Sequence, residues 1–289
     1  MATCVQAPPA RATAQTSPLP WRTIAWFGAL LIACYAPVLG GLIRQWSSDA
    51  DMGHGFLVPF VAVYIAWRRR SKVTAARPAP NYWGLAVLIW GAAQMIGGNL
   101  AAQIFVARTA FLISLVGTIL FLGGAVPVRI LSFPLFLLIF LVPIPAIIYA
   151  QITLPLQIFA SSVAETVLNF MGIPVLRDGN ILELAHQRIS VVEACSGMRS
   201  LLSLLFLSLV YAYFSDPRIW MRGLLAAATI PIAIAANAAR VTLTGMAANF
   251  APGLAYGVFH LFEGWVLFVA ALAIIVAFHR LVNRRHANA

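Results

Sequence analysis

Charge is scarce in this chain, and acidic charge is scarcest. Of its 289 residues only 9% are charged, and 8 Asp and Glu residues stand against 19 Lys and Arg residues. Hydrophobic residues make up 62% of the chain and its mean hydropathy is +0.90, whereas a soluble domain is about 45–50% apolar and about 25% charged. One aqueous core cannot bury so much apolar surface. Because apolar runs of about 20 residues recur, the composition indicates a helical integral membrane protein.

Cysteine is nearly absent, and so are the common catalytic and cofactor motifs. The three cysteines are Cys4, Cys34 and Cys195, and their spacing matches neither a metal site nor a disulfide framework. The sequence contains no Walker loop, no HExxH and no GxSxG. A metal site from His54, Cys195, His260 and Glu263 is conceivable, but these residues do not have the compact spacing of metal ligands. We therefore expect no metal and no cofactor.

The net charge of +11 could suggest a nucleic-acid partner. However, the basic residues cluster at the ends of apolar runs, which is the pattern that orients a membrane protein. We expect membrane lipid around the chain and no nucleic acid.

The apolar runs predict a polytopic bundle of about eight transmembrane helices. The expected spans are 24–43, 53–67, 82–99, 103–122, 130–148, 196–214, 222–248 and 259–279. Residues 1–22 are expected to be a disordered cytoplasmic N-terminus, 23–281 the transmembrane domain and 282–289 a basic cytoplasmic tail. Prolines in LVPIPA (141–146) are expected to break the fifth span near its outer end.

The segment between the fifth and sixth spans differs from the rest. Residues 152–171 are amphipathic and predict a helix that lies in the membrane interface or, alternatively, crosses the membrane. After it, Asp178-Gly179-Asn180 separates two apolar stretches, which predicts a small β-hairpin. The fold class is thus an all-α membrane bundle with an interfacial helix and a small outer-face hairpin.

Charge bias favours the interfacial placement of 152–171. With eight spans and an interfacial helix, the basic loops and both termini share one side, and seven of the eight acidic residues lie on the other. The positive side faces the cytoplasm. If 152–171 crossed the membrane, Arg218, Arg222 and the terminal arginines would move outside. In the favoured arrangement Cys195, Arg240, His260 and His54 all lie at the outer face.

Cys195 occurs in VVEACSGMRS, residues 191–200. If a helix begins at Ser196, its N-terminal N–H groups and dipole favour a thiolate, which is a good nucleophile. Arg199 shares the thiol's helical face and either tunes the thiol or pairs with Glu193. The alternative is that Cys195 is a small buried hydrophobic residue.

Two further candidates lie on later spans. Arg240 follows Asn237 by three residues, so both share one helical face. The arginine either stabilises developing negative charge in a cavity or extends to the outer interface. His260 has Glu263 one turn later, and a histidine beside a carboxylate can act as general acid or base. His54 in DADMGHGFLVPF is a weaker candidate, between glycines that suggest a tight entry to its span.

These residues together resemble the exosortase/archaeosortase family. EACSGMRS is followed about forty residues later by NAARVTLTG, and then by a lone histidine in FHLFEG. HGFLVPF, VPIPA and GIPVLRDGNIL are also similar to family segments. The resemblance covers roughly residues 45–275.

The resemblance implies a multi-pass inner-membrane cysteine protease or transpeptidase. It implies Cys195 as nucleophile, Arg240 as transition-state stabiliser, His260 as proton shuttle and Asn237 as support for Arg240. The implied partners are secreted proteins with a C-terminal Pro-Glu-Pro-type motif, an apolar span and a basic end. Cleavage would occur at the periplasmic face through a thioester.

Two other functions are compatible with the residues. A non-enzymatic subunit or transporter for exopolysaccharide export would use Arg240 and His260 along a path for an anionic lipid-linked sugar, and would tolerate loss of the Cys195 thiol. A lipid or acyl transferase would carry a lipid thioester on Cys195.

Overall fold

The computed structural model describes residues 21–76, 79–185, 187–191, 198–250 and 258–287. The described chain is mostly helical. Its α-helices are α1 (Trp21–Cys34), α2 (Ala36–Ser48), α3 (Leu57–Arg68), α4 (Arg70–Ala75), α5 (Trp83–Leu100), α6 (Ile104–Gly123), α7 (Ala125–Ile130), α8 (Ser132–Leu137), α9 (Ala146–Phe170), α10 (Met198–Ser215), α11 (Ile219–Phe250) and α12 (Val258–Ala287). Two 3-10 helices, Ala50–Phe56 and Leu138–Leu141, precede α3 and follow α8.

Five described helices are long and apolar enough to cross a membrane. They are α6, α9, α10, α11 and the part of α12 from Phe262 to Arg284. A sixth span results if α1 and α2, which meet at a 67° bend, are counted together. The chain is therefore a membrane protein with five or six candidate spans among the described residues, and the predicted eight are not confirmed.

The predicted fifth span is interrupted, as its prolines indicate. Residues 130–148 form the end of α7, all of α8 and the tighter 3-10 turn Leu138–Leu141. The backbone then becomes extended at Val142, before Pro143, and Pro145 caps α9. Proline lacks an N–H donor and restricts the residue before it, so the helix ends here. Pro231 lies inside α11, which continues through it.

The predicted hairpin is confirmed and gains a third strand. Strands β1 (Val175–Asp178), β2 (Ile181–Leu184) and β3 (Arg188–Ser190) form an antiparallel sheet in the order β1-β2-β3. Gly179 has φ +62° in the β1–β2 turn, a conformation that glycine adopts without the Cβ penalty of other residues.

This sheet folds back along α9. Asn169 bonds the backbone of Val175 through both its amide oxygen and nitrogen. Further towards the start of α9, Ser161 Oγ donates to the carbonyl of Gly179 at 3.0 Å. The second half of the predicted interfacial segment 152–171 is thus covered by strands, although α9 has the length and composition of a span.

The chain divides into two compact units. One comprises residues up to Leu39 and Val61–Phe136, and the other comprises Gly40–Phe60 and Leu137–Ala289. In the first unit α5 and α6 pack closely because α5 presents glycines at seven-residue intervals: a Cβ at Gly98 would lie 2.7 Å from the backbone nitrogen of Ala107. Small residues permit such close helix approach in membranes.

The second unit carries the residues singled out for function. Its α10, α11 and α12 share a buried apolar cluster that includes Leu204, Leu225, Ala233 and Ile275. A second cluster joins the inward side chains of the sheet, such as Leu182, to α9 and α11. The three long helices and the sheet therefore form the frame on which the site is built.

Candidate functional site

The strongest sequence candidate lies at a break in the described chain. Cys195 and Glu193 fall within residues 192–197, outside the described residues. The chain resumes at Met198, where α10 begins. The predicted thiol site at the start of α10 therefore stays a prediction, and the surroundings of that helix start carry the structural argument.

Arg199, in the first turn of α10, pairs with Asp51. Its Nε donates to Asp51 Oδ1 at 3.1 Å. The other oxygen of Asp51 accepts a hydrogen bond from the hydroxyl of Tyr149, near the start of α9. Asp51 thus joins the starts of α9 and α10 across a sequence separation of 148 residues to Arg199. Sequence reasoning offered Glu193 as the partner of Arg199 and missed Asp51.

His54 is buried one turn after Asp51. It is 8% exposed, its ring lies 6.5 Å from the rings of Phe140 and Phe206, and its Nδ1 lies 3.5 Å from Ser203 Oγ. Burial lowers the pKa of His54, and a hydrogen bond to the Phe140 backbone only partly opposes this. His54 is therefore a neutral side chain at pH 7 that packs the 3-10 helix Ala50–Phe56 against α10.

The two contacts with α10 match the geometry of both helices. Residues three apart in a 3-10 helix eclipse each other, so Asp51 and His54 face the same way. Residues four apart share an α-helix face, so Arg199 and Ser203 do too. The short helix consequently docks on α10 in one register, directly after the segment that holds Cys195.

Arg240 faces α12 at a position cleared by a glycine. A Cβ at Gly264 would lie 2.7 Å from Arg240 Nη2 and 2.9 Å from its Cζ. A cavity of about 20 Å³ beside the guanidinium is lined also by Asn237 and by Ser200 of α10, and it has room for about one water molecule. Arg240 thus borders this cavity, and its role in stabilising negative charge stays a prediction.

Glu263 lies on α12 beside this arginine. It is 6% exposed, accepts hydrogen bonds from Thr244 Oγ1 at 3.3 and 3.5 Å and interacts with the charge of Arg240. Arg240 and Thr244 are four residues apart on α11, so one face of that helix engages the carboxylate. Sequence reasoning placed Glu263 near His260 and did not anticipate Thr244 or Gly264.

His260 lies in the first turn of α12, one turn before Glu263 and Gly264. Its side chain is not among those that the structure describes. The helix backbone nevertheless places His260 one turn from Glu263 and Gly264, the two α12 residues that lie beside Arg240. Its role as proton carrier stays a prediction.

The described residues converge on the first turn of α10 from two sides. Arg199 is held by Asp51, and the neighbouring Ser200 lines the Arg240 cavity. A positive charge with a nearby carboxylate, next to a helix start, can stabilise an anion that develops beside it. Among the described residues no group of three or more His, Cys, Asp or Glu side chains could hold a metal ion.

A second polar cluster lies at the far ends of α10 and α12. His279, 5% exposed, contacts Tyr211 through Nδ1 at 2.9 Å, and Asn283 and Asp216 through Nε2 at 2.9 and 3.5 Å. Burial raises the pKa of Asp216, but hydrogen bonds from the Arg218 backbone and from His279 outweigh it, so the net pKa is lowered. Nothing in the sequence singles out His279, since two of its three partners, Asp216 and Tyr211, are 63 and 68 residues away.

The fold and the site together define a helical membrane protein whose polar residues meet at the ends of its spans. The family model of the transmembrane exosortases (Exosortase_EpsH) matches residues 46–277. The chain therefore belongs to the transmembrane exosortase family, as the resemblance indicated. No curated protein and no solved structure matched it.

Proposed function

We propose that this protein is a membrane-embedded cysteine protease or transpeptidase that cleaves C-terminal sorting signals of secreted proteins. The single observation that carries the proposal is the placement of the first turn of α10. This turn follows Cys195 by three residues and lies between the Asp51–Arg199 pair and the cavity of Arg240. Membership of the exosortase family supports the same activity.

The proposed reaction begins with transfer of the Cys195 thiol proton to His260. The sulfur then attacks the scissile carbonyl carbon, and the guanidinium of Arg240 stabilises the oxyanion of the tetrahedral intermediate. The intermediate collapses as the C–N bond breaks, and His260 returns the proton to the leaving amine. The resulting thioester passes to water or to another nucleophile, which restores the thiol.

The supporting residues divide by what they contact. Asn237 shares the cavity with Arg240, and Glu263 faces the arginine's charge. Arg199 and His54 fix the 3-10 helix against α10. Glu193, two residues before Cys195, is proposed to act with this group, although it lies outside the described residues.

We further propose that the site lies at the periplasmic face of the inner membrane, with both termini cytoplasmic. The sheet beside α9 supports this. It carries Arg188, of which the side chain is 77% exposed, in an ion pair with Glu183. Exposed charges are not tolerated against lipid tails. We therefore place α9 and the sheet outside the hydrocarbon core despite the length of α9.

The partners follow from the proposed site. A substrate anchored by an apolar span with a basic end would present its Pro-Glu-Pro-type motif at the outer face, where we propose that Cys195 lies. Membrane lipid surrounds the chain, and no nucleic acid, metal or cofactor takes part.

Cleavage of a tagged tail-bearing substrate in co-expressing cells tests the proposal. Cys195→Ala should abolish the size change of the substrate while the protein still inserts. Cys34→Ala is the matched control, because Cys34 is an exposed free cysteine of α1, and it should cleave normally. Cleavage that survives in Cys195→Ala contradicts the proposal and favours an export subunit. A lipid in place of a peptide thioester on Cys195 would indicate an acyl transferase.

A further inference from the structure

The first compact unit contains an apolar cleft that the proposed reaction does not use. It has a volume of about 420 Å³ and is lined by α1, α3, α4, α6 and α7, which is within the range of about 300–1,000 Å³ typical of ligand pockets. We propose that this cleft binds one acyl chain of an anionic phospholipid, with the phosphate at Arg70.

The walls of the cleft run parallel to the helices. On α1 they extend from Ile24 to Leu31, and on α6 from Leu115 to Leu122. Seven residues of helix correspond to about 10 Å along the axis, so the cleft follows both helices for about two turns. The hydroxyl of Thr118, which also lines it, is bonded to the Ser114 carbonyl of its own helix at 2.8 Å. The lining therefore offers hydrocarbon chains an apolar surface.

One end of the cleft carries the groups expected at a lipid headgroup. Trp67 and Arg70 both line it, and the Arg70 guanidinium lies 4.3 Å over the Trp67 ring. The Trp67 side chain is 63% exposed. Tryptophan and arginine are characteristic of the level at which headgroups meet hydrocarbon. The apolar walls then extend from that level in the direction of the acyl chains.

The charge at this end selects the headgroup. Arg22, Arg68 and Lys72 are exposed residues of α1, α3 and α4, and along the chain each lies within two residues of one that lines the cleft. Basic clusters at helix ends bind anionic lipid headgroups, each cation contributing a several-fold preference. A substrate span with a basic end would meet repulsion here, so the complementary occupant is an anionic lipid.

The test is lipid retention by the purified full-length protein. Protein is extracted in mild detergent, and the retained phosphatidylglycerol and phosphatidylethanolamine are quantified by mass spectrometry against their ratio in the membrane. Wild type should be enriched in phosphatidylglycerol. Gly28→Leu should lose that enrichment, because Gly28 lines the cleft and a Cβ there meets nothing within 4 Å, so the new side chain occupies part of the cleft without displacing backbone.

Matched controls separate the cleft from general effects. A Cβ at Gly40 also meets open space, and Gly40 does not line the cleft, so Gly40→Leu should retain lipid as wild type does. Arg70→Gln should retain about fivefold less phosphatidylglycerol. Arg44→Gln, which removes the same charge from an exposed residue of α2, should not change retention.

Two results overturn the proposal: wild type retaining the two lipids in the membrane ratio, or Gly28→Leu retaining as much phosphatidylglycerol as wild type. If Gly28→Leu fails to elute as a folded protein, photoactivatable phosphatidylglycerol decides the matter on wild type. Adducts on α1 or α6 along the cleft support the site, and adducts confined to other helices contradict it. Substrate cleavage enters none of these measurements, so failure of the proposed protease activity leaves them unaffected.

Discussion

Arg240 and Gly264 lie so close that any side chain at position 264 would meet the guanidinium: a Cβ there would be 2.7 Å from Nη2. The atoms in conflict are the far end of a flexible side chain, so a larger residue moves the arginine rather than the helix. If the position of that charge matters for the reaction, the glycine controls activity without touching the substrate.

Gly264→Ala should therefore lower kcat for substrate cleavage by roughly tenfold. This is less than the loss of about 10²–10³-fold that is typical when an oxyanion-stabilising group is removed altogether. The measurement is the rate of tail cleavage by purified variants at saturating substrate. Gly223→Ala is the matched control, because a Cβ on this α11 glycine meets nothing within 4 Å. Unchanged kcat in Gly264→Ala, with both variants folded, would show that the exact position of Arg240 is unimportant.

Asp51→Asn should reduce cleavage while leaving thermal stability nearly unchanged. The pair with Arg199 is partly exposed, with side chains 46% and 21% exposed, and such pairs contribute about 1 kcal/mol or less to stability. Its proposed role is to hold the first turn of α10 beside Cys195. Activity and melting temperature are measured together for Asp51→Asn, Arg199→Gln and the double variant.

Because the two side chains share one interaction, the effects of Asp51→Asn and Arg199→Gln on activity should not add. Glu183→Gln is the control, since Glu183 forms a comparable pair with Arg188 within the sheet at 2.9 Å. Strictly additive losses, or an equal loss of activity in Glu183→Gln, would argue against a specific role for the Asp51 pair.

Thr244→Val should destabilise the protein more than Thr242→Val. Both threonines are buried on α11, but Thr244 donates to the Glu263 carboxylate whereas Thr242 donates to the carbonyl of Ala238 in its own helix. A buried carboxylate that loses its donor costs about 1–3 kcal/mol, more than a neutral hydrogen bond. Thermal unfolding in detergent compares the two valine variants, and equal shifts would contradict the proposed contact.

The Asp216 carboxylate should stabilise the folded protein at neutral pH. Its pKa in the folded protein is below its ordinary value of 3.8, so its contribution is complete above that value and disappears as the pH falls through the lower folded pKa. The difference in melting temperature between wild type and Asp216→Asn should therefore be constant from about pH 8 to pH 5 and shrink below about pH 4.

Asp178→Asn serves as the control for removing a carboxylate, because Asp178 is exposed at the end of β1. It should leave the melting temperature unchanged across the same pH range. A difference between wild type and Asp216→Asn that grows as the pH falls would have the wrong sign for a depressed pKa and would exclude this account of the Asp216–His279 cluster.

Local features of the fold were predictable because their causes are local. The turn at Gly179 and the break around Pro143 follow from the residues at those positions. The number of spans could not be predicted in the same way, because the 12-residue helix α3 and the interrupted α7–α8 region are apolar but do not form long helices. Apolar composition alone cannot separate a span from a short helix packed inside a bundle.

The site was predictable only in part for a related reason. An arginine within a span is conspicuous, so Arg240 could be found from the sequence. Gly264, Thr244 and Asp51 are ordinary residues whose importance comes from a partner on another helix, and no spacing rule connects Asp51 to Arg199 over 148 residues. The acidic DADMGH segment before α3 was the one available signal for Asp51.

The long sequence separation between Asp51 and Arg199 also sets the order in which the contacts around the site can form. The α5–α6 pair joins neighbouring segments and can form as soon as it leaves the ribosome, since contacts close in sequence form early. The Asp51–Arg199 pair must wait for α10, and the Arg240–Gly264 contact must wait for α12. A nascent chain therefore inserts most of the described helices before the Arg240 charge is positioned against α12. The proposed activity is thereby withheld until α12 has been made.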